Sequence, residues 1–292
     1  MPFATPLGII IAAAVLAAAS LSDRAESEGI EGPQSVSIPA GGENSPATLD
    51  ARLYRPSAGG PFPAIVALHG CSGLWSSKDK SELSPRHVDW GTRLAALGYV
   101  VIFPDSYGSR GLGPQCENGD REVEPFRERV ADAKAARRYL QTLSFVKADA
   151  IVLLGWSNGG STVLYAVRPE DKGKDAGPDF RAAIAFYPGC RDPNEKGDWA
   201  TRIPLLILIG EADDWTPTAP CKVIAAAHPD NVQLVLYPGA YHDFDNAAQK
   251  VHELRGLAFT ANGNGLAHSG FDRSAYDAAL KEVSAFLQKE TK

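Results

Sequence analysis

Short apolar runs recur along the chain, separated by longer polar or amphipathic stretches. Residues 63–68, 99–103, 151–154, 182–186, 204–209 and 232–236 are apolar almost throughout. Runs of that length without alternation predict strands covered on both faces, as in a parallel sheet. Two earlier segments, 35–39 and 49–54, lie either side of Gly41-Gly42-Glu43-Asn44 and predict an antiparallel pair feeding that sheet. Apolar residues at helical spacing over 122–140 and 274–288, with a small-residue stretch at 161–166, predict helices between and after the strands. The expected class is α/β, a mostly parallel sheet with helices on both faces.

The strand at 151–154 runs directly into Gly155-Trp156-Ser157-Asn158-Gly159-Gly160. A sharp strand-to-helix turn forces its apex into strained backbone angles, so positions two before and two after must lack bulk. Gly155 and Gly159 meet that need and make Ser157 a candidate nucleophile. The Asn158 N–H, at the start of the following helix, is then a candidate oxyanion donor.

A serine hydroxyl needs a base and an orienting acid. After the run 204–209 comes Gly210-Glu211-Ala212-Asp213-Asp214, and after 232–236 comes Tyr237-Pro238-Gly239-Ala240-Tyr241-His242-Asp243-Phe244. Parallel strands bring their C-terminal ends to one edge, so Ser157, Asp213 and His242 are expected to converge there. Asp213 is preferred as the acid for its place in the first turn off the strand, with Asp214 as the alternative. Among the downstream histidines, His252 falls in helix-like sequence and His268 in a Gly/Asn-rich loop, which leaves His242 as the base. The run 63–68 ends in His69-Gly70-Cys71-Ser72-Gly73, whose small residues admit a ligand to the backbone, so the Cys71 N–H is the expected second oxyanion donor.

These segments, with Pro104-Asp105-Ser106-Tyr107, together resemble the dienelactone hydrolase family of the α/β-hydrolases over about residues 34–288. The resemblance implies the α/β-hydrolase fold and cleavage of esters or lactones by a serine, histidine and aspartate; no cofactor is expected, and without Cys-x-x-Cys or His-Glu-x-x-His spacing no metal site is expected either. The founding members carry cysteine as nucleophile; Ser157 in its place favours a general carboxylesterase. Arg110 sits where family members bind a substrate carboxylate, and Tyr107 and Trp156 are expected to line the pocket. A peptidase or polyester depolymerase on the same scaffold, or a binding protein without activity, are the rival readings.

With 292 residues, 44% of them hydrophobic, the chain can bury one large core. A net charge of −6 without a basic cluster disfavours nucleic acid and charged membrane surfaces as partners, and points to a small ester or lactone. Residues 7–21 have the length of a signal-peptide core, with Ala17-Ala18-Ala19 as a cleavage site, although Met1 to Pro6 lacks Lys and Arg. The expected division is a signal peptide at 1–19, a linker at 20–33 and the hydrolase domain at 34–292, periplasmic or secreted, of unknown oligomeric state. Four cysteines suit an oxidising compartment and show no Cys-x-x-Cys spacing. Three pairings are open; the family-like topology favours Cys71 with Cys116 and Cys190 with Cys221.

Overall fold

A computed structural model describes Met1 and residues 29–40, 46–172 and 177–292. Apart from Met1, the expected signal peptide and the linker as far as residue 28 lie outside the described residues, as does the turn at 41–44.

The apolar runs form one eight-stranded sheet in the order β1-β2-β4-β3-β5-β6-β7-β8. Strand β1 (Ile30–Pro39) pairs antiparallel with β2 (Thr48–Pro56), which pairs antiparallel with β4 (Val100–Pro104). From β4 onward the neighbours β3 (Phe62–Leu68), β5 (Val146–Trp156), β6 (Ala182–Phe186), β7 (Leu205–Gly210) and β8 (Val232–Tyr237) are parallel. The central strands are buried along their whole length, which explains why their sequences show no alternation. Strand β1 begins at Ile30, ahead of the expected domain boundary at residue 34.

Helices α1 (Pro85–Ala96), α2 (Glu128–Gln141), α3 (Asn158–Ala166), α4 (Thr218–Ala227) and α5 (Arg273–Glu290) cover the sheet. Two adjacent residues of β5 show the two covered faces. The Trp156 ring meets Trp90 of α1, centroids 6.2 Å apart, and Trp90 in turn meets Tyr276 of α5. A Cβ on Gly155 would instead lie 2.3 Å from the Gly159 carbonyl oxygen in α3. Successive side chains point to opposite faces of a strand, so helices lie on both.

Five elements differ from expectation. Helix α2 starts at Glu128 rather than 122, because Pro125 disfavours helical geometry at Glu124 before it. Helices α1 and α4 escaped the periodicity reading, although Ser84-Pro85 at the start of α1 is a helix-entry signal. His252 and His268 belong to neither a helix nor a loop: they lie in β9 (His252–Leu254) and β10 (Ala267–Ser269), a separate antiparallel ribbon.

Candidate active site

Register places the C-terminal ends of the parallel strands side by side. Leu68 is opposite Gly155, Trp156 opposite Phe186, and Gly210 opposite Tyr237. The loops carrying His69 to Gly73, Ser157, Tyr187, Asp213 and His242 therefore emerge along one edge.

Ser157 has φ 53° and ψ −116°, a conformation non-glycine residues rarely adopt. The turn is closed by Ser157 N–H donating to Phe186 O at 2.9 Å. A Cβ at Gly159 would come within 2.3 Å of Leu68 O, so β3 packs directly against the start of α3. Ser157 Oγ lies 2.9 Å from His242 Nε2, and His242 Nδ1 lies 2.8 Å from Asp213 Oδ2. All three side chains are buried.

The Asp213 carboxylate is locked by its own turn. Its Oδ1 accepts from the N–H groups of Trp215 and Thr216 at 2.9 and 2.8 Å, and its Oδ2 accepts from Thr216 Oγ1 at 2.9 Å. Burial alone would lower the pKa of His242, but the charge and hydrogen bond of Asp213, helped by Asp243, outweigh it and raise the value above 6.5. Asp214 points elsewhere, accepting from His268 N–H at 2.7 Å and lying 2.8 Å from His268 Nδ1. The geometry thus joins Asp213, not Asp214, to His242.

Both expected oxyanion donors border the nucleophile. A Cβ on Gly70 would lie 3.5 Å from Ser157 Cβ, so the loop bearing Cys71 passes beside the serine. Asn158 opens α3, where a helix leaves its N–H groups without intrahelical acceptors. Cys71 O accepts from Gln115 N–H at 2.7 Å, and the Cys71–Cys116 disulfide ties the same two segments together. The second disulfide, Cys190–Cys221, links the chain after β6 to α4, and no cysteine is free. Both pairings are those favoured by the resemblance.

The expected substrate-binding residues are placed differently. The Arg110 guanidinium forks onto the buried Asp132 carboxylate at 2.8 and 2.9 Å and also donates to Ser106 O at 2.7 Å. Both terminal nitrogens are thus engaged by the protein, which favours a structural role for Arg110 over a substrate clamp. Trp156 is fully buried, donates from Nε1 to Asp245 Oδ2 at 2.8 Å, and stacks on Phe103 and Phe186 beneath the sheet edge. It is core rather than pocket wall, because its position on β5 faces α1. Tyr107 is also buried, and its hydroxyl donates to Asn158 Oδ1 at 3.2 Å, holding that side chain rather than facing a ligand. The aromatic groups against the base are Tyr187 and Trp215, with centroids 4.4 and 4.6 Å from the His242 ring. A groove of about 580 Å³ between α1 and α5, lined by Leu97, Leu280 and Gln288 among others, contains none of these residues.

Sequence reading missed a buried polar network behind His242. Arg86 of α1 donates to the Asp243 carboxylate and, at 2.8 Å, to the Tyr187 hydroxyl. Tyr187 donates in turn to Asp245 Oδ1 at 2.6 Å, and the indoles of Trp90 and Trp156 both donate to Asp245 Oδ2 at 2.8 Å. Asp243 and Tyr187 share positive φ angles, 58° and 35°, with Ser157, and among the described residues no other non-glycine residue does. The signal available in the sequence was Asp243-Phe244-Asp245 itself: two carboxylates spaced for burial beside a base require a cation from elsewhere. Among the described residues no cluster of His, Cys, Asp and Glu is arranged to hold a metal ion, and no helix is long and apolar enough to cross a membrane.

Comparison with known proteins agrees with this architecture. A protein of Bradyrhizobium named as a probable 2-oxo-3-(5-oxofuran-2-ylidene)propanoate lactonase is 26% identical over 215 residues, 66% of this chain and 78% of that one. Among solved structures, a dienelactone hydrolase-like promiscuous phosphotriesterase from metagenomic libraries superposes with TM-score 0.62 at 18% identity, covering 89% of this chain and 98% of that one. Esterase 2 of Thermogutta terrifontis, phosphoramylated by tabun, gives TM-score 0.59 at 22% identity, covering 89% and 96%. With the strand order, the serine elbow and a matching family profile over residues 49–291, the chain belongs to the dienelactone hydrolase family and is a hydrolase of the serine esterase type.

Proposed function

We propose that the chain is an exported carboxylic ester or lactone hydrolase that works through an acyl-enzyme on Ser157. The observation carrying the reading is the buried line Ser157 Oγ, His242 Nε2, His242 Nδ1, Asp213 Oδ2, with both links under 3 Å. In that line Ser157 Oγ attacks the substrate carbonyl carbon while its proton passes to His242 Nε2. Asp213 keeps the imidazole oriented and stabilises the imidazolium. The Cys71 and Asn158 N–H groups receive the tetrahedral oxyanion. Collapse breaks the bond to the leaving alkoxide, which takes the proton from Nε2; in a lactone the alcohol stays attached to the acyl group. Water then repeats the sequence, releasing the acid and restoring Ser157.

Lactones are included because the Bradyrhizobium relative is named for one. Export is supported by two disulfides in a chain with an apolar stretch at 7–21. The test is labelling by a fluorophosphonate together with turnover of p-nitrophenyl esters. Ser157→Ala must abolish labelling and lower kcat at least about a thousandfold. Labelling that survives in that variant sinks the reading.

A further inference from the structure

Arg129 is a fully buried cation that the mechanism above does not use. It sits in the first turn of α2 with no exposed surface, and among the described residues no carboxylate lies within ion-pair distance of it. The two acids of its own helix are engaged by other arginines, Glu128 by Arg127 and Asp132 by Arg110. Taking a guanidinium out of water without a counter-charge is among the more costly things a fold can do.

Its contacts are specific. One terminal nitrogen donates to Asn158 Oδ1 at 2.5 Å and the other to His69 O at 2.6 Å, while the guanidinium lies over the Tyr107 ring at 5.2 Å. Asn158 supplies one expected oxyanion N–H; His69 lies two residues before Cys71, which supplies the other. The rigid planar fork therefore bridges the two backbone segments whose N–H groups must converge on one oxygen. His69 adds no second charge: burial first, and then Arg129 itself, hold its pKa well below the ordinary value. Its Nε2 accepts from Ser106 N–H at 3.2 Å, as a neutral ring does.

We propose that Arg129 is a positioning residue for the oxyanion hole, setting the spacing of the Cys71 and Asn158 donors and placing behind them a positive charge that has no direct ion-pair partner. A negative charge developing on the substrate oxygen would meet that field in a site largely closed to water, where electrostatic effects are strong and need no reorganisation. The inference rests on Ser157 being the nucleophile, as proposed above.

The test compares kcat, KM and inhibition by an aryl trifluoromethyl ketone, which forms a tetrahedral oxyanion on the serine, in wild type, Arg129→Met and Arg129→Lys. In Arg129→Met, kcat should fall about 10- to 100-fold with KM within about threefold, and ketone affinity should fall by the same factor as kcat/KM. Arg129→Lys, which keeps the charge but not the fork, should lie between Met and wild type. A folded Met variant with kcat within about twofold of wild type overturns the proposal, as does lost kcat with unchanged ketone affinity. Should the Met variant not fold, Asn158→Ala carries the test, since it removes one anchor of the fork and leaves the backbone N–H in place. There kcat and ketone affinity must fall together, by about three- to tenfold, and unchanged values overturn the proposal. A wild type that neither labels at Ser157 nor hydrolyses esters refutes the underlying reading, and this one with it.

Discussion

Arg86 and Asp243 form an ion pair under the catalytic edge, joining α1 to the residue that follows His242. Asp243 Oδ2 also accepts from Ser269 Oγ at 2.9 Å, and His242 O accepts from Gly270 N–H at 2.9 Å, so the base is held from its own backbone. Removing one member of such a pair leaves the other charged and uncompensated. Arg86→Met should therefore lower unfolding free energy by about 3–5 kcal/mol, read by urea denaturation. A change under about 1 kcal/mol would show that the pair is not supporting the loop.

The same pair gives the protein an acid limit. Burial would raise the pKa of Asp243, but the neighbouring Arg86 and the hydrogen bonds it receives hold it down at about 2. A depressed folded value means the contribution is present above the unfolded carboxylate pKa of about 3.9 and is lost as pH falls toward 2. Stability of wild type should drop through that window more steeply than that of Asp243→Asn. Parallel curves for the two proteins would contradict this.

For activity the relevant group is His242, which must be neutral to accept the Ser157 proton. Its raised pKa puts the acid limb of kcat/KM above pH 6.5, with activity lost as pH falls through it. The linked stability has the opposite sense: it is fully present below the unfolded histidine value and is lost as pH rises through the folded one. Asp213→Asn should cost about 10⁴-fold in kcat and move the limb down, whereas Asp214→Asn should change kcat less than about tenfold. The reverse order in a pH–rate series would transfer the role to Asp214.

Arg110 offers a direct contrast. Because its guanidinium is committed to buried Asp132, Arg110→Ala should destabilise by about 3–5 kcal/mol while changing kcat/KM for anionic and neutral esters by the same factor. A selective loss on anionic esters would restore the substrate-clamp reading.

The Cys71–Cys116 bridge closes a 45-residue separation and ends on a proposed oxyanion donor. Replacing both cysteines by serine should cost about 2–5 kcal/mol of stability and also lower kcat, because the donor loop loses its tether. Thiol titration of the denatured, unreduced wild type should find no free thiol. Normal kcat in the double variant would make the bridge purely a stabiliser.

The local pattern alone determined the fold class, the six parallel strands and the three residues of the hydrogen-bonded line. Buried strands write themselves as unbroken apolar runs, an elbow demands glycines at fixed offsets from Ser157, and parallel strands leave little freedom in where Asp213 and His242 emerge. What the sequence could not decide was which side chains the remaining polar groups would meet. Arg110 and Arg129 are both arginines beside the active-site segments; only packing assigned Asp132 to the first and left the second with Asn158 and His69. Trp156 stood next to the nucleophile in sequence yet faces the opposite side of the sheet, because neighbouring residues of a strand alternate. The Arg86–Asp243 pair joins residues 157 positions apart, a contact no local pattern encodes. Burial makes such pairs obligatory, and tertiary structure alone chooses the partners.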